Sequence, residues 1–170
     1  LQALGALDRA TSIGVLGTGS IGAAVIESLR KIGKEAFSYD NLVHTAPSDS
    51  PTSRNSTDAL MKESDLIIGT TGGDSFSGVV LDRVKGTKVL ASASSSDIEF
   101  QSLLKQTAYS KDPFGTTSVS IHEGLTVEIL NGGFPVNFDR EKEWEATEDI
   151  VLTRCLLYIV IMQAARRSEE

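Results

Sequence analysis

A doubly wound α/β fold on a largely parallel sheet is what this sequence predicts, and three observations predict it. The apolar run 13–16 breaks into Gly17, Gly19 and Gly22 and then resumes with helical spacing, so it reads as strand, tight turn, helix. Two later strands, at 64–72 and 87–93, are apolar almost throughout, which is what a sheet covered on both faces requires. Between the strands lie stretches with helical periodicity, the alternation that builds parallel sheets. With 170 residues, 40% hydrophobic and 6% aromatic, the chain is long enough for one domain with a real core.

In chain order, residues 1–10 form a short apolar lead-in helix that runs directly into the first strand. Leu1 is not a start methionine, so the sequence reads as a domain cut from a longer protein, with the substrate-binding part elsewhere. A helix over about 20–32 stops at Gly33, and residues 35–40 form a second strand ending in Asp40. Residues 41–55, rich in Ser, Pro, Thr and Asp, form a loop. A short helix from Ser56 leads into the third strand, which ends in Thr70, Thr71 and Gly72 at the edge where open α/β sheets bind ligands. Residues 79–84 are a short helix or turn, and the fourth strand leaves the sheet through Ser92 and Ala93 into a polar serine loop at the same edge. Asp97 is expected to cap a helix containing Ile98, Phe100, Leu103 and Leu104.

Beyond that point residues 116–123 and 125–130 alternate as strands, and Asn131-Gly132-Gly133 has hairpin-turn chemistry before extended structure resumes at 134–138. A C-terminal hairpin or edge addition to the sheet follows. Residues 147–167 make the longest helix, apolar nearly all round, and such a helix is expected to be buried, on the sheet and against a missing domain or a second copy of the chain.

The glycine spacing has a mechanical reason. Gly17 allows a sharp turn, Gly19 lets backbone approach a pyrophosphate, and Gly22 lets the helix pack closely on the strand, the pattern of a Rossmann-type dinucleotide turn. Thr18, Ser20 and Ile21 complete the turn and the first free helical N–H groups, which favour phosphate. Plain connectors also use such glycines, so the carboxylate decides. Asp40 lies at the expected distance of about 20 residues for accepting ribose hydroxyls. It repels a 2′-phosphate, and Asn41 follows where an arginine would hold one, so NAD is favoured and NADP is the alternative that Arg54 keeps open.

A formal net charge of −7 argues against nucleic acid as a partner. No run reaches the length of a membrane span, and no signal peptide is visible. Cys155, the single cysteine, cannot form an internal disulfide and points to a reducing, cytoplasmic setting, as a small apolar residue on a buried helix face. Of the two histidines, His44 reads as a solvated loop residue and His122 as a structural one. No catalytic residue and no metal ligand is assigned.

The Gly17–Gly22 turn, the strand 64–72, the segment Asp97-Ile98-Glu99-Phe100 and the run 130–138 with Pro135-Val136-Asn137 together resemble the NAD-binding domain of S-adenosylhomocysteine hydrolase, in islands over about residues 10–165. In that family NAD stays bound, oxidises a ribose hydroxyl of the substrate and is restored after elimination. The resemblance implies that residues 17–22 hold the pyrophosphate, Asp40 the adenosine ribose, that residues 70–72 line the cofactor and that Asn137 bonds near the nicotinamide amide. The family's isoleucine-glycine-histidine loop reads Ser92-Ala93-Ser94 here, a second histidine after the Val-Asn segment is missing, and the redox lysine and aspartate would precede Leu1. Cofactor binding survives these departures; hydrolase activity does not. The expectation is an NAD-binding domain with oxidoreductase-type chemistry. The alternatives are a non-catalytic nucleotide-sensing or scaffold module and a 2-hydroxyacid-type dehydrogenase domain.

Overall fold

The computed structural model describes residues 2–41, 52–95, 97–106, 115–136, 151 and 155–163. The chain divides into two compact units, Leu1–Asp139 and Arg140–Glu170. In the first, α1 (Gln2–Arg9) leads to β1 (Ile13–Leu16), α2 (Ser20–Lys31), β2 (Ala36–Tyr39), α3 (Thr57–Glu63) and β3 (Leu66–Gly69). There follow β4 (Gly86–Ser92), the one-turn α4 (Gln101–Leu104), β5 (Thr117–His122), β6 (Leu125–Ile129) and a 3₁₀ turn, Leu130–Gly133. Among the described residues the sheet has six strands in the order β2-β1-β3-β4-β6-β5. All neighbours run parallel except β5, which lies antiparallel on β6 at the edge.

The unbroken hydrophobicity of the inner strands follows from the pleat. Successive residues of β1 point to opposite faces, so Ile13 and Val15 pack with Leu29 of α2 while Leu16 packs with Leu60 and Met61 of α3. β3 and β4 divide likewise, with Leu66 and Ala91 against Ala6 of α1, and Ile67 and Leu90 with Phe100 and Leu103 on the α3 side. The sheet is doubly wound, a Rossmann-type arrangement. Strand order reverses at β1, whose neighbours β2 and β3 lie on either side, and this switch point opens a crevice at the carboxyl ends of the strands. The helix α2 stops where the sequence predicts, with Gly33 at a φ of +76° just after its last turn.

Two sequence expectations are corrected. The antiparallel hairpin joins β5 to β6 through Glu123 and Gly124; Asn131-Gly132-Gly133 instead forms the 3₁₀ turn by which the chain leaves β6, which pairs with β4, before Pro135 bridges Ser92 at the end of β4. Asp97 does not cap α4: the N-cap is Phe100, and Asp74 accepts from the Ser102 N–H at 3.0 Å. In the second unit residues 155–163 are helical, with apolar side chains and Cys155 on the surface of this chain. Apolar periodicity reports what surface a helix carries and is silent on what covers it. No described helix is long and apolar enough to cross a membrane.

Candidate functional site

The glycine turn closes the carboxyl end of β1, and its three glycines are held by different constraints. Gly17 has a φ of +92°, and a Cβ there would lie 2.8 Å from Thr70 Oγ1. At Gly22 a Cβ would lie 2.0 Å from the Gly17 carbonyl oxygen, so α2 can approach β1 only without a side chain. Gly19 is different: it is exposed, its φ of −63° suits any residue, and a Cβ would meet nothing within 4 Å. Gly19 is also the N-cap of α2, with no side-chain capping bond and no acid in the helix's first turn. Ser20 and Ile21, at the start of that turn, are exposed.

β2 delivers Asp40 to the same turn. The Thr18 N–H donates to Asp40 Oδ2 at 2.6 Å and the Thr18 hydroxyl donates at 3.1 Å, while Gly17 N–H donates to the Tyr39 carbonyl at 2.8 Å. The carboxylate and the glycine turn are thus one hydrogen-bonded unit. Asn41 is exposed beside it. From β3, Thr70 is buried and its hydroxyl donates to the carbonyls of Leu16 (2.9 Å) and Gly17 (3.1 Å), so it clamps the exit of β1. Thr71 and Gly72 are exposed at the crevice. At the end of β4, Ser92 is fully buried and shares a hydrogen bond with Ser94 (3.0 Å), and Ala93 N–H donates to the Gly69 carbonyl at 2.8 Å. Asn137 and His44 lie outside the described residues.

A cleft of about 320 Å³ lies between these strand ends, lined by Leu16, Tyr39, Asp40, Asn41, Thr71 and Asp74 among others, with no lysine or arginine among the described residues of its lining. A neighbouring cavity of about 530 Å³ shares Tyr39, Thr57 and Val79 with it and carries Arg83. Tyr39, Asp74 and Ser75 are not marked by the sequence motifs; Tyr39 directly precedes Asp40 and Asp74 lies two residues beyond the Thr70–Gly72 exit, which is the signal that could mark them. Arg54 stacks over the Phe37 ring at 4.0 Å and pairs with Glu63 at 2.6 Å. His122 sits at the amino end of β6, opposite the crevice, with its ring nitrogens 3.0 Å from the Glu123 carbonyl and 3.3 Å from that of Leu81. Among the described residues no group of acids, histidines or cysteines can hold a metal ion.

No family model matches the chain. An uncharacterized protein of Mycobacterium tuberculosis, found in two strains, is 29% identical over 161 residues, 94% of this chain. The chain spans 30% of the length of these curated relatives. Among solved structures, an imine reductase from Myxococcus stipitatus in complex with NADP+ aligns at 22% identity and a TM-score of 0.40, covering 51% of this chain and 33% of that one. An NAD-complexed D-isomer specific 2-hydroxyacid dehydrogenase from Lactobacillus delbrueckii ssp. bulgaricus aligns at 23% identity and a TM-score of 0.40, covering 55% and 31%.

Proposed function

We propose that this chain is a dinucleotide-binding domain that holds NAD for oxidoreductase-type chemistry, the groups that act on substrate being supplied from outside it. Gly19 is the observation that carries the reading. The fold requires glycine at 17 and 22, whereas at 19 none of the described residues opposes a side chain, so the space kept clear there suits a pyrophosphate drawn against the N–H groups that open α2. Asp40, in its place against Thr18, accepts hydrogen bonds from ribose hydroxyls in this reading. The described lining of the cleft, with Asp40 and Asp74 in it, favours NAD over NADP, and Arg54 is engaged by Phe37 and Glu63. NAD supplies a hydride acceptor; the residues of this chain bind and orient it.

A relation to S-adenosylhomocysteine hydrolase rests on the sequence islands alone, with the family's histidines missing. The 2-hydroxyacid dehydrogenase reading needs a histidine–carboxylate pair at the crevice, and His122 is at the opposite end of its strand. That same location favours, as the second reading, a nucleotide-sensing or scaffold module without catalysis. The test is a calorimetric titration of the purified chain with NAD, NADP and adenosine, after checking denatured protein for co-purified nucleotide. Binding of NAD in preference to NADP is expected; a folded sample that binds none of the three overturns the proposal. Asp40→Ala should weaken NAD binding by about tenfold, as expected for a charged hydrogen-bonding partner, and narrow the preference over NADP. Unchanged affinity and preference would remove Asp40 from the site.

A further inference from the structure

Glu99 is fully buried, in the turn between β4 and α4. Its Oε1 accepts from the Thr71 N–H at 3.2 Å, the Thr71 hydroxyl at 2.9 Å and the Ser75 hydroxyl; its Oε2 accepts from the Gly72 N–H at 3.0 Å. Its backbone carbonyl takes the Ser75 N–H at 3.0 Å. Room for this side chain is made by Gly69, where a Cβ would lie 2.5 Å from Glu99 Cγ. Removing a carboxylate from water is expensive unless hydrogen bonds replace the lost hydration, and here two amides and two hydroxyls converge on it.

The geometry points to Glu99 as a positioning residue: its carboxylate sets the shape of the segment 71–75, the wall of the cleft opposite Asp40, and so governs nucleotide affinity. This rests on the reading of the cleft as a dinucleotide site. Thr71, Gly73, Asp74 and Ser75 all line the cleft, while the amides of Thr71 and Gly72 turn away from it to Glu99. A wall whose amides are already engaged leaves phosphate to the start of α2. The far end of the segment is tied by Asp74 to Ser102 of α4, at 3.0 Å from its N–H and 2.5 Å from its hydroxyl. The wall is therefore anchored from one element, the Glu99–α4 stretch, at both ends.

Glu99→Gln separates positioning from mere filling of space. With its amide oxygen in the place of Oε1, glutamine keeps the Thr71 and Ser75 bonds and sets an NH₂ group against the Gly72 N–H. The Gly72 amide resonance should shift and exchange faster with solvent while Thr71 holds, and NAD affinity should fall by about threefold to tenfold in a variant that stays folded. Glu99→Met removes all four acceptors at similar volume and should cost more than about tenfold in affinity. Should the Met variant fail to fold, the Gln variant decides. A folded Glu99→Gln protein with wild-type NAD affinity overturns the role of Glu99, whether or not the Gly72 amide moves. A wild-type chain that binds no nucleotide overturns the cofactor reading and the affinity claim together, and is told apart by failing before any substitution is made.

Discussion

α2 and α3 both begin at the carboxyl edge of the sheet, α2 from the glycine turn after β1 and α3 from residues 52–56, where Ser53 bridges Ser38 of β2. Their first turns are finished differently. α3 is closed by its own sequence: Ser56 Oγ accepts the Ala59 N–H at 3.3 Å, and Asp58 sits in the first turn, bonded to Lys62 at 2.7 Å. Lys62, with help from the Ser56 hydroxyl, holds the Asp58 carboxyl below the usual carboxylate range. α2 has neither a side-chain cap nor an acid in its first turn. Because any helix start carries unpaired N–H groups and partial positive charge, the difference lies in who supplies the acceptor. For α3 it comes from within the chain, and for α2 a bound pyrophosphate would supply it from outside.

The largest expected effect attacks the frame that makes the α2 start possible. Gly22→Ala forces a Cβ to 2.0 Å from the Gly17 carbonyl oxygen and should cost about 3 kcal/mol of stability, read from urea denaturation. Next, Gly19→Asp gives α2 the kind of cap that α3 has. Since nothing lies within 4 Å, stability should change by less than about 1 kcal/mol, while NAD affinity in calorimetry falls by more than about tenfold. Wild-type affinity in that variant would erase the distinction between the two helices. Ser56→Ala opens the start of α3 and should cost about 1 kcal/mol in the same denaturation experiment, leaving NAD affinity as it was.

The smallest effect concerns the opposite edge of the sheet, where polar groups serve the fold. Asp65 receives the Thr11 hydroxyl, which holds its carboxyl below the ordinary value, and Lys88, pushed down by burial against the pull of Asp65, donates to the Ser64 carbonyl at 2.8 Å. A lowered folded-state value means that the stability from Asp65 is present above the ordinary aspartate value and is lost as pH falls through the folded one. Asp65→Asn should therefore flatten the acid limb of stability against pH and leave NAD binding alone. An unaltered acid limb would remove Asp65 from the account of that edge.

The half of the site built from β1, α2 and β2 was legible because its determinants are local. Gly17, Gly19 and Gly22 stand within one turn, and Asp40 ends the next apolar strand. Glu99 was legible only as part of a segment, since its partners Thr71, Gly72 and Ser75 lie 24 to 28 residues away and no local pattern reveals them. The same distance hid the Asp74–Ser102 bonds and made Asp97 look like a cap. Asn131 shows another kind of limit. Its φ of +52° is what Asn-Gly chemistry predicts, yet the same dihedral serves a hairpin or a 3₁₀ exit, and the pairing of β6 with β4 chooses between them.

The bonds that tie Thr18 to Asp40 span 22 residues, whereas those from Thr70 to Leu16 and Gly17 span 54 and 53. Closing a loop costs more as it lengthens, by about 0.6 kcal/mol for each doubling. As the chain emerges during synthesis, the glycine turn can therefore meet its carboxylate before β3 exists. Of the two ties on the glycine turn, the one to Asp40 can then form first, and the threonine clamp, made later, locks an arrangement already in place.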